Sequence, residues 1–275
     1  KDNADDVNLD YADDATATIV FDAPAALDLD DDLIIADAQT VNVSTKGGYD
    51  STVGDDFALD ATDTDFLTIT AGVADSGFIV SGLLSGAKVQ TATLTSSSTG
   101  APITVTGTFL NSAAELTTLT VSATSGDDSS DITFSSGATG GGTAADKLTS
   151  IDLDASHGAD ITTGAISGSA ATLTTITADA TTTGSIITAG ALTFGSVSNI
   201  TTSAVSGAEV DLAGALTIST VGTIKHTGAG NFRMDSTSNA ITTLERLDLT
   251  DATGTNAVDL AGNTNAVTVN LGTGA

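Results

Sequence analysis

Residues 241–254 read Ile-Thr-Thr-Leu-Glu-Arg-Leu-Asp-Leu-Thr-Asp-Ala-Thr-Gly. Leu247 and Leu249 flank one polar residue, the alternation of a half-buried strand, and Gly254 follows Leu247 by seven positions, where the chain turns. The phrase returns upstream. Val41-Asn-Val43 leads to Gly47, Leu119-Thr-Val121 to Gly126, Ile151-Asp-Leu153 to Gly158 and Ile176-Thr-Ala178 to Gly184. Offsets of six to eight in all five copies are too regular for unrelated turns and point to one unit used repeatedly.

Strand centres near Val41, Leu67, Leu94, Leu119, Ile151, Ile176, Phe194, Ile218 and Leu247 follow one another at intervals of 26, 27, 25, 32, 25, 18, 24 and 29. A second short strand follows in most units, as in Gly77-Phe-Ile-Val-Ser, Pro102-Ile-Thr-Val-Thr, Asp131-Ile-Thr-Phe, Gly184-Ser-Ile-Ile-Thr and Asn256-Ala-Val-Asp-Leu. Two or three strands per ~26-residue unit, joined by Gly, Ser, Thr and Asp turns, predict an all-β fold: a β-solenoid of about nine irregular coils. At ~4.8 Å per stacked coil, nine coils make a rod on the order of 40 Å long. The solenoid is expected over 39–275, behind an Asp-rich cap or small β element at 1–38, where Ile19, Phe21, Leu27, Leu29 and Leu33 supply apolar anchors. Tandem antiparallel β-sandwich domains are the competing fold, since they too show strands at short regular spacing.

Composition favours the thin-cored solenoid. Aromatic residues make up 4% of the chain, with 2 Pro and 1 Met, while Ala, Gly, Ser and Thr dominate. Absence of Cys excludes disulfides, thiolate metal sites and a Cys nucleophile. No apolar run approaches the ~20 residues of a membrane-spanning helix. Net charge is −28, from 7 Lys and Arg against 35 Asp and Glu, and about half of the acids fall between Asp2 and Asp65. Such a surface repels phosphate backbones and anionic lipid, which disfavours nucleic-acid and membrane-surface roles, and with no long apolar run neither nucleic acid nor membrane insertion is expected. It invites Ca²⁺, because a short Asp carboxylate in a turn can cap backbone N–H groups or ligate a hard cation. Candidate ligands are Asp5, Asp6 and Asp10; Asp28, Asp30, Asp31 and Asp32; Asp55, Asp56 and Asp60; and Asp127, Asp128 and Asp131. The chain begins at Lys1 without Met or a signal-peptide pattern, so an excised segment whose export signal lies outside it is expected.

The tail from Ile241, with Ile-Thr-Thr-Leu-Glu-Arg-Leu-Asp-Leu-Thr followed by Asn270-Leu-Gly-Thr-Gly, resembles the repeat regions of bacterial secreted surface-layer proteins and RTX-associated adhesins. That resemblance implies export, calcium and self-assembly at the cell surface. The Gly-Gly-x-Gly-x-Asp nonapeptides that define the calcium β-roll do not occur, so no ligand position of that family transfers to this chain.

Catalytic readings fare poorly. His157 lies in Asp154-Ala-Ser-His-Gly-Ala-Asp160, but neighbours in sequence do not make a triad, and both His157 and His226 are read as turn residues. Asp152 and Asp154, two apart on a strand, point the same way, with Asp248 at the matching place in its own coil. A polysaccharide-cleaving enzyme would add aromatic platforms, and there is no Trp, with Tyr11 and Tyr49 remote. Outward pairs Thr68/Thr70, Thr93/Thr95, Thr104/Thr106, Thr118/Thr120 and Thr175/Thr177 would suit an ice-binding face if they stacked, although Thr is also a good exposed strand former. The function expected is non-enzymatic: a secreted, calcium-assisted structural protein that assembles with itself into a surface layer or extracellular filament. The alternative is a repeat segment of a cell-surface adhesin with a glycan partner.

Overall fold

The computed structural model describes residues 7–22, 25, 27–59, 63–110, 113–125, 130–136, 147–212, 214–234 and 239–272, with backbone alone at 135–136 and 169–172. Among these, every regular element is a strand, and every strand pair is parallel. Parallel pairing through a whole chain, with partners one coil apart, is a β-solenoid; antiparallel sandwiches are ruled out.

Each coil lays down strands on three faces. A broad face carries strands such as Phe66–Ala71, Thr91–Ser96, Thr118–Ala123 and Ser150–Ala155. A second face is a 10-stranded sheet running from Leu27–Leu29 to Asn256–Val258, which makes nine coil-to-coil steps. A short face is built from Phe57–Leu59, Leu84–Ser85 and the opening residues of long strands such as Leu192–Ala204. Broad and short faces belong to one 13-stranded sheet because those long strands bend through both.

Register exposes the period. One inward column on the broad face runs Ala17, Val41, Leu67, Ala92, Leu119, Ile151, Ile176, Ile200, Ile224, Leu247 and Val269. The numbering advances along it by 24, 26, 25, 27, 32, 25, 24, 24, 23 and 22. Phe194 and Ile218, expected as centres of this column, pair with each other on the short face instead, and Leu94 sits two residues further along its strand. The apparent intervals of 18 and 29 thus came from counting two faces as one. The interval of 32 is real.

β-Branched residues and alternation explain the strands: Leu119, Val121 and Ala123 are fully buried while Thr118, Thr120 and Ser122 face outward, half-buried. Large side chains cluster in the earlier coils, where Phe21 packs 5.4 Å from Phe78, Phe57 6.1 Å from Phe78, and Phe109 4.9 Å from Phe134. Burying each such side chain contributes roughly 1.5–3 kcal/mol. Gly254, read from sequence as a turn glycine, is required by stacking: a Cβ there would lie 1.8 Å from the Gly230 carbonyl oxygen of the coil beneath.

Candidate functional site

Acidic side chains gather at the corners, and there the short Asp carboxylate works across coils. The Asp56 N–H donates to Asp32 Oδ1 at 2.9 Å, and the Leu83 N–H donates in turn to Asp56 Oδ1 at 2.6 Å. Gly77 N–H donates to Asp50 Oδ1 at 2.7 Å. Further on, Asp160 N–H donates to Asp131 Oδ1 and Ile186 N–H to Asp160 Oδ1, both at 2.8 Å. Each bond spans 24 to 29 residues, one coil. At these corner positions a carboxylate one coil away takes the N–H in place of a backbone carbonyl, and Asp has the reach for that.

This accounts for Asp32, Asp56 and Asp131 among the candidate metal ligands. Of the others, Asp10 and Asp28 occupy outward strand positions, and Asp30 and Asp55 are exposed at a corner beside the half-buried Asp31. Asp5, Asp6, Asp60, Asp127 and Asp128 lie outside the described residues. What the structure brings together is a different set. Carboxylate oxygens of Asp13, Asp37 and Asp63, on three consecutive coils, lie within 4.8 Å of one another. Ca²⁺ bonds oxygen at ~2.3–2.6 Å, so two ligands of one ion stand up to about 5 Å apart, and this group has that spacing. The signal in sequence was an Asp recurring once per coil, at positions 13, 37 and 63.

On the broad face the outward positions align in columns. One runs Thr68, Thr93, Thr120, Asp152, Thr177, Thr201, Lys225, Asp248 and Asn270. Thr93 and Thr95, like Thr118 and Thr120, therefore stack in two dimensions, while Thr104 and Thr106 belong to the second face. Asp152 and Asp154 point outward as expected, and Asp154 pairs in register with Asp179. Partial burial, and then the Asp179 charge, push the Asp152 and Asp154 carboxyls above the ordinary Asp value. Asp248 goes the other way. The Thr250 hydroxyl and N–H donate to its Oδ1 at 2.7 and 3.1 Å and, with Arg246 beside it, hold its carboxyl below the ordinary value.

The histidines part company. His157 is an exposed turn residue with φ 59°, and its Nδ1 lies 3.2 Å from Ser156 Oγ; no carboxylate is among its hydrogen-bond partners in the described residues, so nothing orients it as a base. His226 is not in a turn. It lies in the strand Leu216–Thr227 at an inward position over Thr202, and is 0% exposed.

A cavity of about 780 Å³ opens at the C-terminal corner, with Ser206, Asn231, Leu249, Thr253, Asn256 and Leu271 in its wall. Among the described residues no titratable side chain lines it. Above it, the inward residues of the last described coil are uncovered: Val269 is 47% and Leu271 63% exposed, while Leu247 and Leu249 directly beneath are each 4% exposed. Comparison with protein-family models, with curated proteins and with solved structures finds no match.

Proposed function

We propose that this chain is a non-enzymatic, exported structural protein that stacks with copies of itself into a surface layer or extracellular filament, assisted by Ca²⁺. The observation that carries the reading is the meeting of the Asp13, Asp37 and Asp63 carboxylate oxygens within 4.8 Å of one another on three consecutive coils of a parallel stack, where a cation would hold acidic coils together. A parallel stack is directional, so copies that join along its axis meet head to tail, and such contacts propagate as filaments when they do not close into rings. Repulsion among −28 chains opposes growth, and a cation held by groups such as Asp13, Asp37 and Asp63 would offset it.

Negative-stain electron microscopy of the purified chain with and without Ca²⁺ tests this. Polymers that disperse in EDTA are expected. Rods that stay single at all calcium concentrations and bind a glycan surface would make the protein an adhesin segment instead.

One observation favours a second reading. The hydroxyl columns Thr68, Thr93, Thr120 and Thr70, Thr95, Ser122 lie side by side in register, an arrangement that would suit ordering water on ice, although Asp152, Lys225 and Asp248 interrupt the first column further on. Thermal hysteresis measurements decide it, and absence of hysteresis removes the reading.

A further inference from the structure

The ring of His226 is wholly enclosed, stacked on Phe232 with centroids 5.0 Å apart and planes 13° from parallel. Its Nδ1 lies 2.8 Å from Thr202 Oγ1, and its Nε2 has no hydrogen-bond partner among the described residues. Thr202 occupies the same inward column one coil earlier, so the pair is a polar seam between adjacent coils, set against the apolar core. A neutral imidazole tolerates this, because one nitrogen is satisfied and the ring packs as an aromatic. An imidazolium does not. It carries a second N–H with no well-formed hydrogen bond, only backbone at Gly230 and Thr202 nearby, and a charge with no counter-ion among the described residues.

Among the described residues the surrounding charges do not supply one. On its own strand Lys225 faces outward; the preceding strand, Leu192–Ala204, has no titratable side chain. The following strand, Ala240–Leu249, bears Glu245, Arg246 and Asp248, of which Arg246 and Asp248 bind each other at 2.5 Å. On the second face Arg233 lies 3.5 Å from Asp211 and 4.0 Å from Glu209. None of these groups is a hydrogen-bond partner of the imidazole. Burial holds its proton affinity below that of a free histidine, opposed only in part by the backbone at Gly230 and Thr202.

We propose that His226 is an acid-sensitive latch: proton uptake by its ring below about pH 6.5 loosens the coils from Leu192 to Leu249 while the earlier coils stay closed. Solenoids allow this, because each coil is stabilised by its neighbours alone and a group of coils can open without global unfolding. The opened coils expose the ring, which then takes its proton freely, and linkage makes opening up to tenfold more favourable for each pH unit below the free-histidine value.

Amide hydrogen exchange on the full chain between pH 7.5 and 5.0, corrected for intrinsic rates, measures it. Protection in 216–227 and in its neighbours 199–204 and 240–249 is expected to fall by up to tenfold per pH unit, while protection in 66–71 and 91–96 stays level. His226→Phe, which keeps the stack on Phe232 and cannot titrate, should abolish the difference. Uniform loss along the chain, or a pH response unchanged in H226F, overturns the latch. Should H226F not fold, an NMR titration of the His226 imidazole in the unaltered chain decides: a midpoint well below 6.5 with loosening of these coils supports the proposal, and a midpoint at or above 6.5 ends it.

Discussion

Asp154 lies directly over Asp179, one coil apart in register, with Ser203 Oγ donating to Asp179 Oδ1 at 2.5 Å from the coil beyond. Like charges facing one another across a ladder cost ~0.2–1 kcal/mol. Replacing Asp154 by Asn should therefore stabilise the chain by about that much at pH 7, read as a rise in urea midpoint at unchanged m-value. The sign with pH follows. Folding raises the Asp154 carboxyl above its unfolded value, so the folded form binds the extra proton, and stability from this group is highest at low pH and falls as pH rises through that window. The advantage of D154N should vanish below the ordinary Asp range; an advantage that persists at pH 3 would contradict the repulsion.

Asp56 joins two coils by accepting the Leu83 N–H. Hydrogen bonds to a charged acceptor contribute ~1.5–3 kcal/mol, and removing this one leaves a corner N–H without its partner. Asp56→Ala should lower stability by that amount, and Asp56→Asn by less than half as much, since the amide oxygen still accepts. Equal midpoints for D56A and the unaltered chain in urea melts would remove the corner role.

A Cβ at position 254 would overlap the Gly230 carbonyl, so Gly254→Ala must push two coils apart. Overpacking of this kind costs about 1–3 kcal/mol. The loss should be local, seen as faster hydrogen exchange in Asn256–Val258 and Asn231–Met234 with little change in Ile103–Thr108.

If Ca²⁺ joins Asp13, Asp37 and Asp63, millimolar Ca²⁺ should raise the thermal midpoint, and EDTA should reverse the gain. At a free concentration 100-fold above the dissociation constant the stabilisation is ~2.7 kcal/mol. Asp37→Asn should remove most of it, while Asp55→Asn, at an exposed corner position, should not. An identical calcium response in D37N would rule the group out.

The parallel stack was legible because alternation and a recurring phrase both survive in a single sequence. Leu119, Ile151, Ile176 and Leu247 are one column in the structure as in the pattern. Which face an apolar residue served was not legible where strands run through two faces: Phe194 and Ile200 share one strand and a similar local pattern, and only pairing tells them apart. His226 was misread for a related reason. Lys225 before it and Gly228 after it are turn-like neighbours, but the position continues an inward column that is Ala178 and then Thr202 in the preceding coils. The metal candidates show the limit of composition. Runs such as 30–32 stand out by eye, yet carboxylates converge when they recur once per coil, so Asp13, Asp37 and Asp63 meet although each belongs to a different coil.

Beyond the long step from Leu119 to Ile151, successive repeats shorten through 25, 24, 24 and 23 to a final 22. At ~3.3 Å per residue, three residues fewer is about 10 Å less chain per coil. Upstream the steps run 24, 26, 25 and 27, so the chain spent on each coil is not constant along the stack. In an array of copies joined along the axis that variation would recur at one-molecule intervals, a periodicity visible at low magnification without labelling any part of the chain.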